Sequence, residues 1–186
     1  MQHLGIAFVA LWVFWAVYWI AAAFGNKRPM LRVSLLWRFA GMLSIAAAFF
    51  VLHRYPHYFG RRILPRDGAR AAAGLVLTAG GIAFAIWARR VLGRNWSAEP
   101  TIKEDHELIR RGPYRRIRHP IYTGLLVAIF GSCLAEGRRW DAYLLALAIV
   151  LLVAKLKIEE ALMFRRFPTA YRKYRKRTAA LIPFVY

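Results

Sequence analysis

Residues 106–124 read His106-Glu-Leu-Ile-Arg-Arg-Gly-Pro-Tyr-Arg-Arg-Ile-Arg-His-Pro-Ile-Tyr-Thr-Gly124 and lead directly into an apolar run. Two histidines, two tyrosines, a Gly-Pro turn and an arginine cluster are far more polar chemistry than a simple membrane span needs at its border. Polar groups at such a border predict a ligand, and the apolar run behind them predicts a site that faces lipid. This stretch therefore indicates an all-α membrane protein with a binding site at the interface.

Composition supports a membrane protein with strongly basic connectors. Of 186 residues, 59% are hydrophobic, yet the formal net charge is +20. Long uncharged runs alternate with short basic segments, and a helix of about 20 apolar residues crosses a bilayer. We predict an integral membrane helical bundle of about five transmembrane helices, near residues 4–24, 33–52, 70–90, 120–136 and 139–157.

The last two predicted helices form a pair of their own. Their uncharged parts, 121–135 and 142–154, are only about 20 Å long each as helices. The short connector 136–141 joins them, which predicts an antiparallel hairpin. Because helices this short must end in surroundings covered by protein, the hairpin predicts a recess at the membrane face.

The distribution of Lys and Arg predicts the orientation of the bundle. The connector 89–118 and the segment 155–177 are both dense in basic residues, which places them on the cytoplasmic side. The connector 54–70 is also basic but falls on the opposite side, and its part 55–66 is expected along the interface. Anionic lipid headgroups are the expected counter-charge, so we predict membrane lipids as partners, no nucleic acid and no obligatory protein partner.

The start of the fourth predicted helix is a candidate anion site. Pro120 suits the first helical turn, which places His119 at a helix N-terminus that favours negative charge. Arg115, Arg116 and Arg118 crowd the same place. A ligand carboxylate would fit there, and contact with lipid phosphates is the alternative for Arg115 and Arg116.

Two acids follow the fifth apolar run directly. Lys155 and Glu159 are four residues apart and share a helix face, whereas Glu160 is expected to face elsewhere and to be solvated. An i,i+4 ion pair is the simpler interpretation, and recognition of an ammonium or of ribose hydroxyls by Glu159 is the sharper one. The tail 167–183 reads as a short interfacial helix and an apolar segment, which either folds back as a lid or anchors the chain on the lipid surface.

Several common sites are not expected. Rossmann and P-loop glycine patterns are missing from the sequence. Cys133 stands alone, and His53 and His57 lack a neighbouring carboxylate, so we predict no metal site.

The motifs resemble the isoprenylcysteine carboxyl methyltransferase family of integral membrane enzymes. The blocks that match are 92–97 (Leu-Gly-Arg-Asn-Trp-Ser), 106–114, 118–124, Glu159-Glu160, and Phe167 and Tyr171 with 181–183 (Leu-Ile-Pro). The match covers roughly residues 70–186, which implies one membrane methyltransferase domain over 1–186, with N-terminal helices in 1–68 and a catalytic core in 69–186.

The resemblance also implies a cofactor and its contacts. S-adenosyl-L-methionine is the family's methyl donor, bound at the cytosolic face by the C-terminal half. Where the family has an arginine four residues before the glutamate, this chain has Lys155, and Lys155 and Arg118 are the residues expected to hold the nucleophile. The implied cofactor contacts are His106, Glu107, Leu108, Ile109, Tyr114, His119, Pro120, Ile121, Tyr122 and Glu159.

The sequence leaves the methyl acceptor open. A lipophilic substrate entering sideways from the bilayer is expected, foremost an isoprenylcysteine-like carboxylate. A phospholipid amine and a small thiol are the alternative acceptors. A non-catalytic haem or quinone binder using His106 and His119 is the alternative of another class.

Overall fold

The computed structural model describes residues 2–23, 29–32, 35–65, 67–96, 101–103 and 107–182. Seven helices and two short strands follow one another in this part of the chain, with 3-10 turns at Gly93–Asn95 and Gly112–Arg115. The elements are α1 (Gln2–Ala23), β1 (Pro29–Arg32), α2 (Leu35–Arg54), α3 (Pro56–Phe59), α4 (Gly68–Leu92), β2 (Thr101–Lys103), α5 (Pro120–Glu136), α6 (Arg139–Arg166) and α7 (Pro168–Arg175).

The predicted helical bundle is confirmed, with two differences. The last helix of the hairpin, predicted near 139–157, continues as α6 to Arg166, and Glu159 and Glu160 in the added turns contact His119 at the start of α5. In addition, β1 and β2 form a two-stranded antiparallel ribbon that the all-α prediction did not include. Its two strands are far apart in the sequence and too short to leave a clear alternation of apolar residues.

Helices α4 and α5 pack with their backbones almost in contact. A Cβ at Gly81 would lie 2.5 Å from the carbonyl oxygen of Gly124, and one at Gly74 would lie 2.5 Å from that of Gly131. Small residues at such crossings let two apolar helices approach closely without any burial of large side chains. This approach fixes the N-terminus of α5 against the C-terminal half of α4.

Helix α1 is joined to this pair by polar contacts inside an apolar face. Trp12 Nε1 donates to Ser132 Oγ at 3.1 Å, which joins α1 to α5. Thr78 Oγ1 donates to the Ala128 carbonyl at 3.1 Å, which joins α4 to α5. Near the other end of α1, the buried Arg89 donates to the Ala22 carbonyl at 2.7 Å. Hydrogen bonds between apolar helices fix their register as well as their contact.

The turn of the hairpin and the predicted site lie at opposite ends of the bundle. Gly137, in the left-handed conformation, ends α5, and its carbonyl accepts from the backbone amides of Ile63 and Leu64. The predicted antiparallel hairpin of α5 and α6 is therefore present, and part of the 54–70 connector covers its turn. The start of α5 and the last turns of α6 lie at the opposite end, where the predicted site falls.

Membrane character rests on length and apolar composition. Among the described residues, His3–Ala22 and Gly68–Asn95 are long and apolar enough to cross a membrane, and Pro120–Glu136 is a shorter apolar helix. The number of five crossings and their orientation stay predictions.

Candidate active site

The site begins where α5 begins. Pro120 occupies the first turn, and His119 precedes the helix with φ −122° and ψ 58° and makes no side-chain capping bond. Its imidazole is therefore directed away from the helix end and is available to other groups. The ring stacks on that of Tyr122 at an interplanar angle of 3°.

Two acids of α6 meet this imidazole. Nδ1 of His119 lies 3.4 Å from Glu159 Oε2, and its Nε2 lies 3.6 Å from Glu160 Oε1. His119 and Glu159, which were predicted to touch one ligand, thus lie side by side, and their roles stay predictions. The expectation that Glu160 is solvated is wrong. Its side chain is only 12% exposed, because Arg118 and His119 at the start of α5 both contact it.

Glu159 is also tied to the wall of the site. The Tyr122 hydroxyl donates to Glu159 Oε1 at 2.6 Å. The Lys155 ammonium nitrogen lies 5.4 Å from the centroid of the Tyr122 ring, within cation–π range. Lys155 thus stands beside the cluster, one helical turn before Glu159.

Arg118 connects the start of α5 to α6 and to the C-terminal tail. Its Nε donates to Glu160 Oε1 at 2.6 Å, and its Nη1 bonds the Thr178 carbonyl and, at 3.3 Å, the Arg175 carbonyl. A guanidinium used in this way by two segments of the chain has little capacity left for a substrate. The predicted catalytic role of Arg118 remains a prediction, and the contacts favour positioning.

The tail folds back over the α5 N-terminus, as the sequence predicted for one of its two alternatives. After α7, the backbone of 179–180 pairs with 116–119: Arg118 N donates to Ala179 O at 2.8 Å, and His119 N donates to Ala180 O at 3.0 Å. Thr123 Oγ1 donates to the Leu181 carbonyl at 2.6 Å. These bonds satisfy backbone groups around the helix start and close one side of the site.

The acids and the imidazole stabilise one another's charged forms. Burial lowers the pKa of His119, but hydrogen bonding and the charges of Glu159 and Glu160 outweigh it and raise the pKa overall. Burial likewise opposes the ionised form of Glu160, yet His119 and Arg118 lower its pKa to about 2. The same imidazole, with Lys155, lowers the pKa of Glu159. At neutral pH both acids are therefore ionised, and the cluster is stable with His119 protonated.

A cavity opens beside this cluster. Most of the predicted cofactor contacts line it: Glu107, Leu108, Ile109, Tyr114, His119, Ile121, Tyr122 and Glu159. Arg118 lines it too, whereas Pro120 and Lys155 are not part of the lining. His106 falls outside the described residues.

The cavity also has walls that the site prediction missed. They are Leu92, Asn95, Trp96, Leu162, Met163, Tyr171 and Tyr174. Two signals were present in the sequence: the 92–97 block had already been singled out, and Leu162 and Met163 follow Glu159 by three and four residues, on the same helix face.

Two polar atoms on this lining are buried without a hydrogen-bond partner. They are Nε2 of His119, whose side chain is 10% exposed, and Oδ1 of Asn95. His119 Nε2 faces Glu160 Oε1 at 3.6 Å, whereas buried polar groups are normally satisfied and Asn95 Oδ1 is not, which makes Asn95 a candidate contact for a polar ligand. A polar ligand with an apolar body fits the lining of this cavity.

The chain belongs to the phospholipid methyltransferase family, whose model matches residues 69–170. The match begins with α4 and ends in α7, so it contains the hairpin and nearly all the residues of the site. The sequence-based resemblance to the isoprenylcysteine methyltransferases is confirmed as well, by a curated relative and a solved structure.

Three similar proteins place the chain among larger ones. Over 94 residues it is 35% identical to the nickel-cobalt-cadmium resistance protein NccN of Alcaligenes xylosoxydans xylosoxydans, covering 50% of this chain and 44% of that protein. Over 83 residues it is 29% identical to the protein-S-isoprenylcysteine O-methyltransferase of Schizosaccharomyces pombe, covering 44% of this chain and 35% of that one. The chain thus spans less than half the length of the curated relatives it matches.

The fold is similar to that of a solved membrane enzyme. The eukaryotic intramembrane Ras methyltransferase ICMT (isoprenylcysteine carboxyl methyltransferase) superposes with a TM-score of 0.60 at 19% identity, covering 84% of this chain and 55% of that one. The family and this neighbour are methyltransferases, and the likeness extends to most of the described bundle.

Proposed function

We propose that this chain is an S-adenosylmethionine-dependent methyltransferase of the membrane, with its active site on the cytoplasmic side. The observation that carries the proposal is the cluster of His119, Glu159 and Tyr122 on the wall of an otherwise largely apolar cavity. When bound, S-adenosylmethionine supplies a methyl group already activated on a sulfonium, so the protein has mainly to bind, align and exclude water.

The residues present fit this cofactor. The start of α5, which lies on the cavity wall, suits a carboxylate. Glu159, ionised at neutral pH, suits an ammonium or ribose hydroxyls, and Asn95 offers a polar group to a base. The apolar side chains of Ile109 and Met163 provide a surface for an aromatic ring system.

The acceptor that we propose is a lipophilic carboxylate of the isoprenylcysteine type. A carboxylate needs no base to become a nucleophile, and the lowered pKa of Glu159 makes it a weak base. Lys155, close to Tyr122, offers a positive charge to hold such an anion. The exposed apolar faces of the bundle allow an acyl or prenyl chain to reach the site through the bilayer.

A second candidate is N-methylation of a phospholipid amine, which is favoured by the name of the matching family. An amine is protonated at neutral pH and requires a proton acceptor before it can attack. The two candidates therefore differ in the chemistry they demand of the site, and their products differ in stability: a carboxyl methyl ester is cleaved by mild alkali, and an N-methyl group is not.

The test has two parts. Purified full-length protein in nanodiscs is titrated with labelled S-adenosylmethionine; saturable binding is expected, and no detectable binding at millimolar cofactor overturns the proposal. Labelled methyl transfer to isoprenylcysteine and to phospholipid acceptors is then followed by mass spectrometry before and after alkali. Release of labelled methanol by alkali supports the carboxylate acceptor, and label that stays on the headgroup amine of a phospholipid replaces it with the amine.

A further inference from the structure

A second recess lies across Tyr174 from the methyl-transfer cavity. Its lining comprises Arg110, Arg115, Lys173, Tyr174, Arg177 and Thr178. Tyr174 lines both cavities, so the two sites share one aromatic wall. We propose that this recess is a binding site for a phosphate group, either of an anionic lipid headgroup or of a soluble phosphate ester.

The charge of the lining supports this assignment. Four of the six lining residues are cations, and no acid contributes to the wall among the described residues. Glu160 of the hairpin is paired with Arg118 and Arg175. Like charges gathered in one concave place repel one another and raise the local concentration of anions.

The types of side chain point to phosphate in particular. Three guanidinium groups present planar pairs of donors that match two phosphate oxygens at once, and the Lys173 ammonium adds a point charge. The hydroxyl of Thr178 lies on the same wall, although it already donates to the Tyr174 carbonyl at 2.8 Å. A carboxylate would use one guanidinium fork, whereas a phosphate can use several.

The recess is held open by the surrounding fold. Arg110 and Arg115 come from the segment before α5, and Lys173 and Arg177 come from α7 and the turn after it. The Tyr174 hydroxyl donates to the Tyr114 carbonyl at 2.7 Å, which joins these two segments directly. Further backbone bonds between 116–118 and 179 close the same seam. The cations are thus attached to a fixed frame and not to separate loops.

The site also lies where a headgroup would be found. Helix α7 buries Tyr171 and Tyr174 and exposes its basic residues. Short amphipathic helices with a basic face bind the surface of anionic membranes. A phosphate held between α7 and the 110–115 segment would fasten the tail to the membrane next to the opening of the active site.

The test uses full-length protein in nanodiscs of phosphatidylcholine alone. In one arm, native mass spectrometry counts bound lipid after addition of phosphatidic acid; in the other, the dissociation constant for inorganic phosphate is measured by calorimetry. The variant is Arg115→Gln/Arg177→Gln, and the matched control is Arg172→Gln/Lys176→Gln, which removes two charges from α7 and the turn after it but none from the recess.

We expect wild type and control to bind with affinities within about twofold of each other, and the variant to bind at least about tenfold more weakly, since each charged hydrogen bond contributes about a decade of affinity. Binding of lipid alone assigns the site to headgroups, and binding of phosphate in both arms assigns it to the phosphate group itself. An equal loss in variant and control, or no binding in either arm, overturns the proposal. Unchanged S-adenosylmethionine binding by the variant shows that it is folded.

Discussion

His119 Nδ1 and Glu159 Oε2 lie 3.4 Å apart and join the start of α5 to the last turns of α6. The contact exists because α5 starts at Pro120 with no side-chain cap, which leaves the imidazole free to reach the neighbouring helix. It brings an ionised acid to the wall of one cavity, where that acid can meet a cationic group or hydroxyls of a ligand. The function proposed for this chain depends on that juxtaposition.

Replacing Glu159 by Gln is expected to weaken S-adenosylmethionine binding by about tenfold or more. The substitution keeps the shape and the partner of the Tyr122 hydroxyl but removes a buried charge, and a charged hydrogen bond is worth about 1.5–3 kcal/mol. Equilibrium binding in nanodiscs measures the effect. The matched control is Glu136→Gln, at the other end of the bundle with a side chain 55% exposed; an equal loss there would remove Glu159 from the site.

Stability is expected to fall as the pH rises above neutrality. The pKa of His119 is raised above its usual 6.5, so the stability it contributes is fully present below about pH 6.5 and is lost as the pH passes through the raised pKa. The pKa of Glu160 is lowered to about 2, so its contribution is present above about pH 4.5 and is lost only as the pH falls toward 2. The maximum is therefore expected between about pH 4.5 and 6.5.

Thermal unfolding in detergent between pH 5 and 9 measures this dependence. His119→Gln removes the titrating group and should flatten the alkaline decline, whereas His57→Gln, in an exposed helix at the other end, should leave it intact. A decline that persists in His119→Gln would assign it to another group.

The sequence predicted the centre of the site because its chemistry is local. The motif around His119 and Pro120 contains its own helix start, and an acid that directly follows an apolar run is unusual enough to mark Glu159. The partner of Glu160 could not be predicted in this way. Helical periodicity separates Glu159 from Glu160, and only the packing of α5 against α6 shows that Arg118 and His119 face both acids together.

Contacts between distant segments limited the rest of the prediction. Tyr174 enters the cavity wall because its hydroxyl bonds the Tyr114 carbonyl, a pairing that no spacing in the sequence indicates. The ribbon of β1 and β2 is of the same kind. By contrast, the hairpin of α5 and α6 was predictable, since two short apolar runs and a six-residue connector allow few other arrangements.

Arg118→Lys is expected to loosen the tail more than it alters cofactor binding. Lysine keeps the charge but loses the fork that bonds Glu160 and two tail carbonyls. Limited trypsin digestion should therefore cleave the tail after Lys176 or Arg177 several times faster than in wild type. Arg116→Lys is the matched control, and full tail protection together with lost activity in Arg118→Lys would assign Arg118 a catalytic role instead.

Gly81→Ala is expected to destabilise the bundle by about 1–3 kcal/mol, the usual cost of overpacking. The added Cβ would lie 2.5 Å from the backbone of both Gly124 and Ala128, which belong to a helix that cannot retreat without moving the site. The neighbouring Gly80→Ala is an ideal control, since a Cβ there meets nothing within 4 Å. Chemical unfolding in detergent should show a loss for the first variant and none for the second; equal effects would contradict the close packing of α4 and α5.

Lys155→Ala is expected to lower kcat/KM for the methyl acceptor by about tenfold or more while leaving S-adenosylmethionine affinity within about twofold. Lys155 lies beside the ring of Tyr122 and is not on the lining of the proposed cofactor cavity. Its loss should therefore affect an anionic acceptor more than it affects the cofactor. Lys155→Arg should retain activity, because the charge is kept and a two-point grip becomes available. Lys157→Ala, two residues along on the exposed face of α6, is the control. A parallel loss of cofactor affinity in Lys155→Ala would place this ammonium in cofactor binding, and an unchanged kcat/KM would show that the acceptor's charge is held elsewhere.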